Sequence, residues 1–216
     1  MMNRLFVPLV ALVAPLVLGS CNKLLDELPD ERVQLDTPEK IRLALSNAYP
    51  ITSFAYACEM STDNVDDYGT DNPNFTKFTY DLVYWNDGPE YNQSDGMRAL
   101  WRAHYLAIQH ANAALEAINK LGGGTELNPH KGEALVARAY SHFVLVNLFG
   151  KHYNTSTSST DLGVPYMTAT EVTLNPQYTR NTVAEVYAAI DKDLTEGLPL
   201  ISDSYYKQKA YHFNKA

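Results

Sequence analysis

Two long stretches of helical periodicity, separated by three consecutive glycines, constrain the fold of this chain more than any other feature. Apolar residues recur three and four positions apart at Met97, Leu100, Trp101, Tyr105, Ile108, Ala111, Leu115 and Ile118. Gly122, Gly123 and Gly124 end this run, and a second helix is predicted from about His130 to Phe149. Two amphipathic helices joined by a short glycine turn are expected to pack antiparallel.

Two further helices have recognisable starts and stops. Thr37, Pro38 and Glu39 are typical of an N-cap, a first-position proline and a first-turn acid, and Pro50 ends that helix. Thr182 and Glu185 predict a capping box for a helix that Pro199 closes. The second long helix is expected to bury one face, with these apolar members: Leu135, Ala139, Phe143, Val146 and Phe149. Because no stretch predicts a sheet, the fold class is mostly α.

The segment from residue 51 to residue 95 shows no sustained helical period. Asp, Asn, Gly, Pro and aromatic residues dominate it. A structureless stretch of this length within a domain is typical of a functional loop region. By contrast, Trp101 lies on a helical period and is predicted to belong to the core.

The N-terminus predicts export and lipid attachment. Residues 1–20 form a signal peptide, because the apolar stretch that follows Arg4 would span only about 21 Å of a hydrocarbon core ~30 Å thick. Leu18, Gly19, Ser20 and Cys21 resemble a bacterial lipobox, which makes Cys21 the predicted lipidation site and mature N-terminus. Residues 21–36 are then a polar tether, and residues 37–216 form the domain. Cys58 remains as a single thiol, predicted to be a small buried hydrophobe.

Charge and motif content exclude several classes of function. The formal net charge is −8, which argues against nucleic acid because phosphate binding needs a basic face. Histidines at zinc-ligand spacing and cofactor motifs are missing from the sequence, so no metal or cofactor is predicted. One acidic cluster, which could be a solvated loop or could hold a cation, comprises Asp63, Asn64, Asp66, Asp67 and Asp71.

Several segments in a fixed order resemble the SusD/RagB family of outer-membrane lipoproteins of Bacteroidetes. Tyr105 and Tyr140 also lie 35 residues apart, close to the tetratricopeptide period of 34. The segments that carry the resemblance are Cys21, 37–49, 59–64, 100–112, 132–140, 147–150, 163–166 and 180–194.

The resemblance implies a SusD-like α/α superhelix of tetratricopeptide-like helical pairs, with irregular inserts that carry the ligand site. Members of the family are more than twice this length, so the sequence is expected to be truncated at the C-terminus. The helical domain over residues 37–216 would then be incomplete.

The resemblance also implies a function without catalysis. Such proteins are lipid-anchored on the outer face of the outer membrane, where they bind oligosaccharides or peptides and deliver them to a SusC-like TonB-dependent transporter. Two alternatives stay open: a peptide-binding member of the same family, and a helical-repeat scaffold for protein interactions. An enzyme would need a pair of acid–base carboxylates, and no sequence motif supports one.

The predicted ligand surface lies in the irregular segment. Trp85 is the expected stacking platform, Tyr84 is a second ring, and Asn86 and Asp87 are partners for sugar hydroxyls, with Tyr80 close by in sequence. The alternative is that Trp85 and Tyr84 are core residues that pack this segment onto the long helix that follows.

Overall fold

The computed structural model describes residues 34–71, 73, 76–86, 96–173, 176–206 and 212–214. Cys21 and Asp87, two of the predicted functional residues, lie outside these ranges. The described part contains helices α1 (Pro38–Leu45), α2 (Ala55–Met60), α3 (Lys77–Val83), α4 (Met97–Lys120), α5 (Asn128–Phe149) and α6 (Val183–Gly197). It contains no strand, only one antiparallel bridge between Leu162 and Thr182. The mostly α prediction is therefore confirmed.

Helices α4 and α5 form the predicted hairpin. Gly122, Gly123 and Gly124 have φ values of 83°, 67° and 113°, which place all three in the left-handed region that side chains avoid. The Gly123 N–H donates to the carbonyl of Ile118 at 3.0 Å, which closes the end of α4. The three glycines thus stop one helix and reverse the chain so that α5 packs against α4.

Helix α5 is buried on most of its sides, which the one-face prediction missed. Phe143, assigned to the core from its spacing, is 46% exposed, whereas Arg138, Ser141 and His142 are buried. The reason is that three helices, α4, α6 and α1, all pack against α5. A helix surrounded in this way has no polar stripe from which a period could be recognised.

Close approach between α5 and α6 depends on two glycines. A Cβ atom on Gly132 would lie 2.8 Å from the carbonyl oxygen of Gly197, and a Cβ on Gly197 would lie 2.9 Å from Leu135 Cβ. Both distances are shorter than van der Waals contact, so the two backbones meet without side chains between them. The predicted capping box opens α6: Glu185 N donates to Thr182 Oγ1 at 3.2 Å and Thr182 N to Glu185 Oε2 at 2.9 Å.

A buried polar network joins α4, α5, α6 and the extended segment 164–170. Arg138 donates to both oxygens of Asp193 at 2.7 Å and to Asn112 Oδ1 at 2.8 Å. The Tyr166 hydroxyl donates to Asp193 at 2.6 Å, and His142 stacks on the Tyr166 ring at 3.8 Å. Because a buried charge is costly without partners, this network fixes how the three helices fit together.

A second buried carboxylate organises the end of the described chain. Glu133 accepts hydrogen bonds from the hydroxyls of Tyr49 and Tyr206, and it pairs with His212 Nδ1 at 2.6 Å. Phe213 stacks on Tyr49 with ring centroids 5.1 Å apart. Residues 206 and 212–213 are thereby held against α5 and the segment that follows α1.

Two predictions for individual residues need correction or refinement. Cys58 is an exposed free thiol rather than a buried hydrophobe, because it lies on the outer side of α2 while Ala57 takes the buried position. Trp101 packs against Tyr105 and Phe149 at 4.8 and 5.0 Å, as a core residue would, but it is only half-buried.

Candidate ligand-binding site

The segment predicted to be irregular contains two short helices, α2 and α3. Seven residues are too few to establish a helical period, but Thr76 caps α3 by accepting from Thr79 N at 3.1 Å. Phe78 of α3 is buried and stacks on Tyr56 of α2 at 6.4 Å, and the Tyr56 hydroxyl lies 2.9 Å from Thr79 Oγ1. These contacts hold α2 and α3 side by side.

An open groove of about 490 Å³ lies between α2, α3 and the loop that joins them. We call it the aromatic groove. Three tyrosine rings, two carboxylates, one hydroxyl and small apolar groups line it, contributed by Tyr56, Met60, Val65, Asp66, Asp67, Gly69, Thr79, Tyr80, Val83 and Tyr84. This mixture of ring faces and hydrogen-bonding groups is typical of a small-molecule site.

Tyr80 and Tyr84 lie one helical turn apart, so their rings meet on the same side of α3. The ring centroids are 4.5 Å apart with the planes inclined by 39°. The Tyr84 hydroxyl donates to Asp67 Oδ2 at 2.7 Å, and the Asp67 Oδ1 atom accepts from Gly69 N at 2.7 Å. The loop wall is thereby joined to the helix wall.

The contact between Tyr84 and Asp67 also sets the charge state of the groove. The hydrogen bond from Tyr84, with that from Gly69 N–H, lowers the pKa of Asp67 below its ordinary value. The same hydrogen bond raises the pKa of the Tyr84 hydroxyl. At neutral pH the groove therefore presents an ionised carboxylate and a neutral phenol.

Trp85 occupies the position at the end of α3 where glycine is most common. Its φ is 52°, the single positive value among the described non-glycine residues. Asn86 N donates to the Asp81 carbonyl at 2.9 Å and Trp85 N to the Leu82 carbonyl at 3.4 Å, which is the Schellman pattern. A left-handed conformation costs a residue with a side chain roughly 1–2 kcal/mol. Such strain at an exposed aromatic residue points to a functional position.

The predicted site residues fall into three groups. Tyr80 and Tyr84 line the aromatic groove, Trp85 and Asn86 follow directly in sequence, and Asp87 lies outside the described residues. Trp85 is 77% exposed and Tyr84 is also exposed, so the alternative that both are core residues is wrong. The Asn86 amide donates to the buried Asp81 carboxylate at 3.2 Å, which leaves it fewer hydrogen bonds for a ligand than predicted.

Sequence reasoning missed the part of the groove that α2 and the loop contribute. Tyr56, Asp67 and Thr79 were not predicted as site residues, although Asp67 belongs to the acidic cluster noted in the sequence. The four-residue spacing of Tyr80 and Tyr84 was the available signal for a shared helix face. Among the described residues no His, Cys, Asp or Glu side chains group in threes that could hold a metal ion. Within the same ranges, no helix has the length and apolar character needed to span a membrane.

Comparison with known proteins identifies the family. Residues 23–216 match the family model SusD-like_3, described as "Starch-binding associating with outer membrane". A search of curated protein sequences found no match to the chain.

Two solved structures share the fold. A SusD superfamily protein from Bacteroides fragilis superposes with a TM-score of 0.59 at 22% identity, over 76% of this chain and 39% of that one. A SusD-like carbohydrate binding protein from Bacteroides vulgatus gives 0.55 at 20% identity, over 82% of this chain and 38% of that one. The chain thus spans about two-fifths of the length of these two proteins. By the match over residues 23–216, the chain belongs to the SusD-like family.

Proposed function

We propose that this protein is a lipid-anchored lipoprotein of the outer-membrane surface that binds oligosaccharides at the aromatic groove and beside it. In this proposal it delivers them, without catalysis, to a SusC-like TonB-dependent transporter. Membership of a family described as starch-binding and outer-membrane-associated supports the class of ligand and the location. The observation that carries the proposal is Trp85, an exposed ring in a strained backbone position directly after Tyr84, which lines the groove.

The groove has the groups that a sugar chain needs. A pyranose offers an apolar C–H face to a ring and hydroxyls to polar groups. Covering one such face removes roughly 50–80 Å² from water and contributes about 1–2 kcal/mol. Three rings, those of Tyr80, Tyr84 and Trp85, can therefore retain an oligosaccharide where one ring would bind a monosaccharide only weakly.

The Asp67 carboxylate offers hydrogen-bond acceptors to sugar hydroxyls. Each of its two oxygens already accepts one hydrogen bond, from Tyr84 and from Gly69, which fixes the carboxylate in place. An ionised carboxylate has about four acceptor positions, so two remain for sugar hydroxyls. The Tyr84 phenol keeps its proton, which leaves its ring neutral for stacking.

The electrostatics of the groove favour binding over hydrolysis. A glycosidase needs a carboxylic acid with a raised pKa that protonates the leaving oxygen. The pKa of Asp67 is lowered instead, by its hydrogen bonds from Tyr84 and Gly69. This carboxylate is therefore suited to accept hydrogen bonds and unsuited to donate a proton.

The anchor is proposed from Cys21. Cells expressing the protein and labelled with palmitate should yield a labelled product, and Cys21→Ala should abolish the label. An unlabelled wild-type product would contradict the anchor without affecting the proposed ligand site. Co-purification with a TonB-dependent transporter tests the delivery step separately.

The ligand site is tested by Trp85→Gly in the full-length protein, with calorimetric titration of maltoheptaose and a panel of other neutral oligosaccharides. Removing the ring should weaken binding about tenfold, the value of one stacking contact. Because glycine is favoured at φ 52°, the same change should raise the free energy of unfolding by about 1 kcal/mol.

Trp85→Phe is the matched control, because it keeps a ring in the same strained position and should retain most of the affinity. If Trp85→Gly lowers both affinity and stability, the ring is a packing residue. If it leaves affinity unchanged, the proposed site is wrong.

A further inference from the structure

A second pocket, separate from the aromatic groove, lies between α4 and the segment that follows α5. Its volume is about 250 Å³. One wall is a single side of α4, and the other comes from residues 165–171 and Tyr178. The residues that matter below are Trp101, Tyr105, Gln109, Glu171 and Tyr178. We call it the strap pocket, and residues 165–171 the strap.

The strap is fixed by hydrogen bonds with side chains of two helices, α4 and α5. The Tyr105 hydroxyl donates to the Pro165 carbonyl at 2.9 Å, and the Asn112 amide donates to the carbonyls of Met167 and Ala169, both at 3.1 Å. The strap also donates to side chains of both helices: Met167 N to His142 Nε2 at 3.0 Å, Thr170 N to Glu116 Oε1 at 2.7 Å, and Thr170 Oγ1 to Glu116 Oε1 at 2.8 Å. A wall held in this way is already formed before any ligand arrives, which reduces the entropy lost on binding.

Most polar groups that line the strap pocket already form hydrogen bonds within the protein. Asn112 gives its amide hydrogens to the strap and its oxygen to Arg138, and Tyr105 gives its hydroxyl to Pro165. Gln109 forms no hydrogen bond within the described residues, and Glu171 accepts one side-chain hydrogen bond, from Tyr178. These two side chains are therefore the ones that can select a ligand.

The Glu171 carboxylate places a negative charge in a pocket that is lined by aromatic rings. Desolvation, and then the charge of Glu171, raise the pKa of the neighbouring Tyr178. Arg180, a cation close enough to Tyr105 of the pocket to act on its charge state, donates its guanidinium to the carbonyls of Gly163, Phe149 and Leu162. The carboxylate thus faces the pocket without a cationic partner of its own in the described structure.

The aromatic part of the pocket suits a ring that carries a positive charge. Trp101 and Tyr105 lie 4.8 Å apart with planes inclined by 47°, and Phe149 holds Trp101 from the side at 5.0 Å. Such rings cover the C–H face of a sugar and attract a cation by their quadrupole. The volume limits the occupant to about one sugar ring.

We propose that the strap pocket is a second binding site, for a sugar ring that bears a protonated primary amine. The ring stacks against Trp101 and Tyr105, the ammonium group pairs with Glu171, and Gln109 hydrogen-bonds a hydroxyl. This site does not depend on the aromatic groove, which offers a different set of residues.

Tryptophan fluorescence tests the proposal directly, because the chain has two tryptophans and one of them is Trp101. In the full-length protein carrying Trp85→Phe, the difference in emission from a Trp85→Phe/Trp101→Phe variant isolates the signal of Trp101. Glucosamine, added at a pH that keeps its amine protonated, should change this emission with a saturable curve. Glucose and N-acetylglucosamine, which lack the positive charge, should need about tenfold higher concentrations.

Glu171→Gln should weaken glucosamine binding about tenfold and leave the weak response to glucose unchanged. Glu126→Gln, at an exposed glutamate outside the pocket lining, is the matched control and should have no effect. The proposal is overturned if glucosamine gives no saturable change, if glucose binds equally well, or if Glu171→Gln has no effect. Tighter binding of lysine amide than of glucosamine would also overturn it, since the site would then select a peptide side chain. The aromatic groove is tested by other means, with neutral oligosaccharides and variants of Trp85. A failure of that proposed site can therefore be distinguished from a failure of the strap pocket.

Discussion

The helical core and the aromatic groove use the same residue types in opposite ways. In the core, the Tyr166 hydroxyl donates to the buried Asp193, and the Tyr166 ring stacks on His142. In the groove, Tyr84 and Trp85 keep exposed ring faces. The difference teaches that an aromatic residue marks a binding surface here only where neighbouring elements leave its ring uncovered.

The comparison predicts that substitutions in the core cost stability, whereas substitutions in the groove cost affinity. The largest effect is expected for Arg138→Met, which leaves Asp193 buried without its cation. Breaking a buried pair in this way costs about 3–5 kcal/mol. Urea denaturation measures the loss.

Arg138→Met combined with Asp193→Leu should recover much of that stability, because no unpaired charge remains. Lys151→Met is the control: it breaks the pair with Asp161 in which the lysine is largely exposed, and it should cost less than about 1 kcal/mol. If Arg138→Met costs no more than this control, the buried network does not hold the core together.

The second prediction concerns acid pH. Burial lowers the pKa of His142 and of His104 to about 4, from 6.5 in the unfolded chain. Between these two values the unfolded state binds protons that the folded state does not, so stability is complete above about pH 6.5 and falls as the pH is lowered towards 4. Each histidine contributes up to about 3 kcal/mol to this loss.

His104→Leu separates one of these contributions from the other. Both ring nitrogens of His104 are buried and lack a hydrogen-bond partner in the described structure, so leucine should stabilise the core at neutral pH. The fall in stability from pH 7 to pH 5 should also become shallower. His152→Gln, at an exposed histidine, should leave the pH profile unchanged. An unchanged profile in His104→Leu would show that this histidine is not protected from protonation.

The smallest effect is expected for Tyr84→Phe, which keeps the ring and removes the hydrogen bond to Asp67. A solvent-exposed hydrogen bond of this kind contributes little to stability, because water replaces the lost partner. Affinity for an oligosaccharide should therefore fall by a small factor, about two- to fivefold, while the melting temperature changes little. Calorimetric titration beside a thermal melt checks both values, and a large stability loss without an affinity loss would place Tyr84 in the core instead.

The sequence alone was sufficient to predict the long helices and part of the candidate site. Helices α4 and α6 are amphipathic and have local start and stop signals, so period and caps predict them. Helices α2 and α3 have six and seven residues and were missed, because a helix of fewer than two turns has no detectable period.

The rest of the fold and of the candidate site depends on contacts between residues that are far apart in the sequence. Phe143 stays 46% exposed although its ring meets Tyr187 of α6 edge-on, and no spacing rule contains that information. Tyr84 meets Asp67 from 17 positions away, so the groove forms only when the loop folds back on α3. Trp85 in a left-handed position contradicts local preference, and that conflict is informative about function once the structure shows it.

Fluorine NMR of the full-length protein labelled with 5-fluorotryptophan tests the central claim most directly, because one tryptophan lies in each region. The resonances of Trp85 and Trp101 are identified as those that Trp85→Phe and Trp101→Phe remove. Maltoheptaose and the panel of neutral oligosaccharides are then titrated. The account predicts that an oligosaccharide shifts the Trp85 resonance at concentrations that leave that of Trp101 in place. A panel that shifts neither resonance, or that shifts Trp101 alone, would contradict it.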